Sequence, residues 1–159
     1  MARNTPPALP DRDRRILVAL QNDSRITMQD LAARVGLSTS ACWRRVKALE
    51  ESGVIERYAV ILNTRKAGFG LSAMVHVSLA RHEQSNVEKF VREVRQHPEV
   101  LECYATSGEA DFHLRVVVED IDAYNAFLDS FIFKVPGVSQ VRSNIVLKEI
   151  KTDTALPCR

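Results

Sequence analysis

No stretch of this 159-residue chain approaches the roughly 20 consecutive apolar residues that a bilayer-spanning helix needs. The opening residues, Met1-Ala2-Arg3-Asn4-Thr5-Pro6-Pro7, lack the apolar core of a secretory leader. A cytosolic protein with no membrane partner is therefore expected. Cysteine is scarce. Cys42, Cys103 and Cys158 are odd in number and far apart, which fits neither a disulfide framework nor a zinc site, so reduced thiols are expected. No nucleophile motif, phosphate loop or metal-ligand spacing stands out, and no cofactor is called for. Charge of one sign is also lacking. The 22 basic and 20 acidic side chains leave a net charge of +2, too little to announce nucleic-acid binding.

The distribution of charge says more. Residues 1–63 hold 10 basic and 7 acidic side chains, whereas residues 64–159 hold 12 and 13. Between residues 31 and 49 lie Arg34, Arg44, Arg45 and Lys47 and no acid. Such a patch can neutralise phosphates and release counterions, although a solvated helix face has the same composition.

Residues 1–10, with Pro6, Pro7 and Pro10, are read as a mobile arm. A helix is expected from about Asp11, capped by Asp11 or Asp13, with Ile16, Leu17 and Leu20 as its apolar stripe and Asn22-Asp23-Ser24 as its end. Thr27-Met28-Gln29-Asp30 has capping-box spacing. The short helix it opens buries Leu31, Ala32 and Val35, and Gly36 stands where a left-handed residue is needed. Ser38 caps a third helix, from about Thr39 to Glu51, whose buried stripe is Cys42, Val46 and Leu49. Two helices joined by a short turn containing Gly describe a helix-turn-helix, here spanning residues 11–56. Its outward positions include Ser40, Trp43, Arg44 and Lys47, with Thr39 at the N-terminus. Arg can read guanine, Ser and Thr reach base or phosphate, and Lys contacts phosphate. Trp43 either packs on the first helix, the preferred reading, or presses on the DNA backbone. Arg45 borders the buried stripe, where it can instead brace the domain or pair with Glu50 or Glu51.

Residues 57–70 read as an extended linker and a hinge with Gly68 and Gly70. Residues 71–159 then change to period two. Leu71, Ala73, Val75, Val77 and Leu79 mark a strand, and Val87, Phe90, Val91 and Val94 a helix. Strands over about Val100–Ser107 and Asp111–Glu119 flank a turn at Gly108. A helix through Tyr124 and Phe127 follows, and a last strand over Val138–Ile150. The order β-α-β-β-α-β is the ferredoxin-like unit, so the fold class is α+β with a winged-helix-like N-terminal domain. Both helices cover one sheet face. The other carries Met74, Tyr104 and Val146 and needs a cover, which a dimer with sheets face to face would supply.

Taken together, Asp13-Arg14-Arg15-Ile16-Leu17, Val35-Gly36-Leu37-Ser38, Arg45-Val46-Lys47-Ala48-Leu49-Glu50, Gly53-Val54-Ile55, Ser107-Gly108-Glu109-Ala110-Asp111-Phe112 and Val135-Pro136-Gly137-Val138 resemble the Lrp/AsnC (feast/famine) regulators. The resemblance covers nearly all of residues 11–157. It implies an N-terminal domain binding double-stranded DNA through Ser38, Thr39, Ser40, Trp43, Arg44, Arg45 and Lys47. It also implies a sensor domain for a free amino acid, dimers through the sensor domains, and assembly into octamers or related discs. The turn Gly108-Glu109-Ala110-Asp111 would line the effector pocket, with Ala110 where many members carry an aromatic residue. Asp111 can meet an ammonium, and N–H groups near Gly108 a carboxylate. Tyr104, Ala105, Ile145 and Val146 complete the expected contacts and favour an apolar or sulfur-containing amino acid. An ordinary hairpin capped by Asp111 is the alternative. An enzyme would have to draw on Cys103, His76 and His113 with Asp111 or Glu109, and a ligand-independent architectural DNA-binding protein is a further reading.

Overall fold

The computed structural model describes residues 9–80 and 84–158. The expectation of a mobile arm falls largely on residues 1–8, outside the described residues. The chain forms two compact units: residues up to Val60 together with Lys151 onward, and Ile61–Ile150.

The first unit contains α1 (Asp11–Asn22), α2 (Met28–Val35) and α3 (Thr39–Glu51). Local chemistry places their ends. Thr27 Oγ1 accepts from Asp30 N at 3.1 Å and donates to Asp30 Oδ2 at 2.7 Å. Gly36 ends α2 at φ 70°, a left-handed conformation that glycine adopts without a Cβ penalty. Ser38 Oγ then accepts from Ala41 N at 3.3 Å and opens α3. The start of α1 differs from expectation. Its N-cap is Pro10, with no side-chain cap, so neither Asp11 nor Asp13 caps it. Asp11 pairs instead with Arg15 at 2.9 Å, and Asp13 with Arg45. Ile16, Leu17, Leu31, Ala32, Val35, Cys42, Val46 and Leu49 form the core as expected.

The tail from Lys151 onward clusters with this unit. Leu156 N donates to Gln21 Oε1 at 2.6 Å, Gln21 Nε2 donates back to Leu156 O at 3.1 Å, and Cys158 packs against the helical core.

The second unit contains β1 (Leu71–Leu79), α4 (Gln84–Val94), β2 (Val100–Ala105), β3 (Phe112–Val118), α5 (Ile121–Ser130), a 3-10 turn (Ile132–Lys134) and β4 (Val138–Ile145). The antiparallel sheet has the order β2-β3-β1-β4, as the ferredoxin-like reading requires. Ala73, Val75, Val77, Leu114 and Val116 pack with Phe90, Tyr124, Phe127 and Ile132 on the helical side. The last strand ends at Ile145, opposite Ala73 and short of Ile150; Val146 N still donates to Ser72 O at 2.8 Å. Residues 57–62 form no strand.

The opposite sheet face is open and polar at its centre. His76 and His113 stand opposite each other with Nδ1 atoms 2.7 Å apart, one ring donating to the other. Asn144 Nδ2 lies 3.0 Å from His76 Nε2. Arg115 donates to Glu102 at 3.4 Å and to Glu149 at 3.0 Å.

Candidate nucleic-acid interface and effector turn

On α3, residues 40, 43, 44 and 47 share one exposed face, as helical spacing demands. Trp43 is 55% exposed, so the preferred packing on α1 does not hold and its indole ring is available at the surface. Arg44 has no ion pair among the described residues, and Lys47 has only a loose contact with Glu50 at 3.9 Å. Ser38, Thr39 and Ser40 are exposed at the helix N-terminus, where N–H groups and the macrodipole favour a phosphate. Arg45 is set apart from this group. Its Nη1 donates to Asp13 Oδ1 at 2.7 Å across the α1–α3 contact, the bracing role that its place beside the buried stripe allows. The partner is neither Glu50 nor Glu51. Glu50 instead accepts from the Tyr58 hydroxyl at 2.9 Å. Desolvation, then the bond to Glu50 and its charge, push the Tyr58 phenol up to about 12.

In the second unit, Tyr104, Ala105 and the turn Gly108–Asp111 are brought together at one end of the β2–β3 hairpin. Thr106 N donates to Asp111 O at 3.0 Å, and Thr106 Oγ1 to Ala110 O at 3.0 Å. Asp111 Oδ2 accepts from Leu79 N at 2.7 Å, which ties the turn to the end of β1. Its Oδ1 has no partner among the described residues, nor do the N–H groups of Gly108 and Glu109. Ala110 is buried, whereas Tyr104 is 56% exposed on the open face.

Ile145 and Val146 are not part of this cluster. Ile145 stands opposite Ala73, whereas Asp111 N bonds to Val77 O, four residues further along β1. That separates them by about 13 Å within one chain. The residues that do reach the turn from β1 and β4 were missed. Ser78 Oγ donates to Glu109 O at 3.3 Å, and Arg142 Nη1 to Glu109 Oε2 at 3.1 Å. Only the strand order reveals them, since Arg142 is 33 residues from Glu109. The enzyme grouping does not assemble. Cys103 is opposite Leu114 and so projects to the other side of the sheet from His76 and His113.

A helix-turn-helix with a basic outer face, followed by a ferredoxin-like domain with an uncommitted polar turn, defines a DNA-binding regulator with a ligand-binding domain. Residues 72–156 match the family model described as the Lrp/AsnC ligand binding domain, and residues 9–56 match winged helix-turn-helix DNA-binding. The chain belongs to the Lrp/AsnC family of transcription regulators. It is 37% identical to the DNA-binding transcriptional activator DecR of Escherichia coli K12, over 91% of this chain and 95% of that one. It is 36% identical to the leucine-responsive regulatory protein of the same organism, over 91% and 88%. The crystal structure of the transcriptional regulator NMB0573/L-Met complex from Neisseria meningitidis superposes with a TM-score of 0.89 at 40% identity, covering 94% of this chain and 96% of that one. No helix among the described residues is long and apolar enough to cross a membrane.

Proposed function

We propose that the protein grips double-stranded DNA through Ser38, Thr39, Ser40, Trp43, Arg44 and Lys47, and that a free amino acid beside Gly108–Asp111 changes its DNA affinity or assembly. One observation carries this reading: the Asp111 carboxylate keeps one oxygen uncommitted within a turn whose Gly108 and Glu109 N–H groups are also unpaired. A zwitterion needs these two kinds of partner, an anion for its ammonium and amide donors for its carboxylate. The L-Met complex of the Neisseria protein supports the ligand class. Control of amino-acid metabolism genes, by a protein on the nucleoid within the cytoplasm, is part of the same proposal.

The exposed Tyr104 on the open sheet face supports a dimer built sheet to sheet, assembling further into an octamer. A ligand moves such an equilibrium only by its differential affinity for the two states. The test is DNA-binding anisotropy and sedimentation of the full chain with each of the twenty amino acids. Arg44→Ala and Lys47→Ala should weaken DNA binding, Lys47→Ala lowering the salt slope by about one unit. Unchanged affinity in both folded variants removes α3 from the interface. An amino acid that binds without altering DNA affinity or assembly removes the regulatory role.

A further inference from the structure

The two histidines at the centre of the open sheet face share their hydrogens in a defined way. His76 on β1 and His113 on β3 stand opposite each other on the two central strands, and each is half-buried within one chain. Their rings meet edge to face with centroids 4.5 Å apart. Asn144 Nδ2 can only donate, so His76 Nε2 accepts at 3.0 Å. A neutral His76 then carries its hydrogen on Nδ1 and donates it to His113 Nδ1 at 2.7 Å. Both rings are neutral in this chain of bonds, and every added proton disturbs it. On His113 Nδ1 a proton sets two N–H groups head to head. On His76 Nε2 it opposes the Asn144 amide, which must turn over.

No neighbour on the face compensates the added charge. On β1, Met74 and Ser78 flank His76 and are uncharged. On β2, Tyr104 stands opposite His113 and donates its hydroxyl to Glu102 at 3.1 Å. On β3, Arg115 shares the face of His113 and pairs with Glu102 at 3.4 Å and Glu149 at 3.0 Å. On β4, Arg142 stands opposite His76 and pairs with Glu109 at 3.1 Å. These three carboxylates are thus all engaged by arginine, and among the described residues none pairs with either histidine.

We propose that the His76–His113 pair is a proton switch on assembly: the neutral pair permits the sheet-to-sheet contact, and its protonation opens that contact. The switch rests on the sheet-to-sheet dimer proposed above. In such an isologous contact the same patch meets itself, and packed sheets lie about 10 Å apart. The two copies of the pair are then separated by about one Debye length at ordinary ionic strength, with water removed between them. Desolvation and like charge both oppose a protonated imidazole there. The assembled state therefore binds fewer protons than the separated chains. Association is strong above the ordinary histidine range and weakens as pH falls through it.

Sedimentation of the full chain at constant ionic strength reads this directly. The wild-type dissociation constant should rise about tenfold or more between about pH 8 and about pH 5.5. The double variant His76→Gln/His113→Gln cannot gain these protons and should keep one dissociation constant across the range. His113→Gln alone keeps an acceptor for His76 Nδ1 and should lessen the response, so the answer does not depend on the double variant folding. Met74→Lys puts a fixed charge on the same face and should weaken assembly even at the alkaline end of the range. If Met74→Lys assembles there like wild type, the sheet-to-sheet dimer fails and the switch with it. If Met74→Lys weakens assembly but wild type keeps one constant across the range, or the glutamine variants follow wild type through it, the dimer stands and the switch is overturned.

Discussion

Arg45 on α3 donates to Asp13 on α1 at 2.7 Å, adding a charged bond to the apolar packing between the two helices. Asp13 is only 14% exposed at its side chain, whereas Arg45 is 37% exposed. A hydrogen bond between charged groups contributes about 1.5–3 kcal/mol when well shielded, and solvent screening at Arg45 lowers that. Arg45→Ala should therefore cost about 1–2 kcal/mol. Asp13→Ala should cost a similar amount, and the double variant much less than their sum. Denaturation of the four proteins checks this. At temperatures where Arg45→Ala is folded, its DNA affinity should match wild type; a large loss would return Arg45 to the interface.

Leu49 anchors the other end of α3. It is 4% exposed and packs with Val46 and Cys42 in the helical core. Leu49→Ala should cost about 2–5 kcal/mol, as a truncation that leaves a cavity does. DNA binding should fail with the melting of the helical signal of the first unit. A cost below that range, with wild-type DNA affinity, would mean that the buried stripe is placed wrongly.

The parts legible in the sequence are those set by near neighbours. Thr27, Gly36 and Ser38 act within three or four residues of themselves, and the stripe Cys42, Val46 and Leu49 repeats with the helical period. The alternation of β1 likewise shows in its burial. What could not be read depends on partners distant in the chain. Arg45 finds Asp13 32 residues away, and Leu156 finds Gln21 135 residues away. Ile145 and Val146, expected beside the effector turn, stand at the opposite end of β1, where Ile145 faces Ala73. Antiparallel pairing with β1 brings the start of β4 to the effector-turn end of the sheet, which is why Arg142 reaches Glu109. Trp43 was expected inside on the strength of its size, but α3 turns it outward.

Tyr58 offers a pH-dependent contact at the end of the helical unit. Its phenol is raised from 10 to about 12 by desolvation first, then by its bond to Glu50. The folded state therefore holds this proton more tightly than the unfolded chain does. The resulting stabilisation is fully present below pH 10 and is lost as pH rises through about 12. The difference in tyrosinate absorbance between wild type and Tyr58→Phe should titrate near that upper value. Glu50→Gln should move it back toward 10. A difference spectrum already centred at the ordinary value in wild type would show that the Tyr58–Glu50 bond does not persist in solution.

Asp111 has two tasks, and one substitution separates them. Its Oδ2 holds the Leu79 N–H at 2.7 Å, a structural duty that any side-chain acceptor of that size can perform. Its uncommitted Oδ1 is the proposed partner of an effector ammonium, a duty that needs negative charge. Asp111→Ala removes both, leaving the Leu79 N–H unpaired at a cost of about 1–3 kcal/mol and weakening the amino acid. Asp111→Asn keeps an acceptor for Leu79 and removes only the charge. Its melting temperature should therefore lie close to wild type, while its affinity for the amino acid falls about tenfold or more. Denaturation and calorimetry on the same two variants give the answer. If Asp111→Asn recovers binding as fully as it recovers stability, Asp111 serves only to fasten the turn to β1, and the ammonium must be met elsewhere. If it recovers stability alone, the carboxylate charge is what the ligand uses.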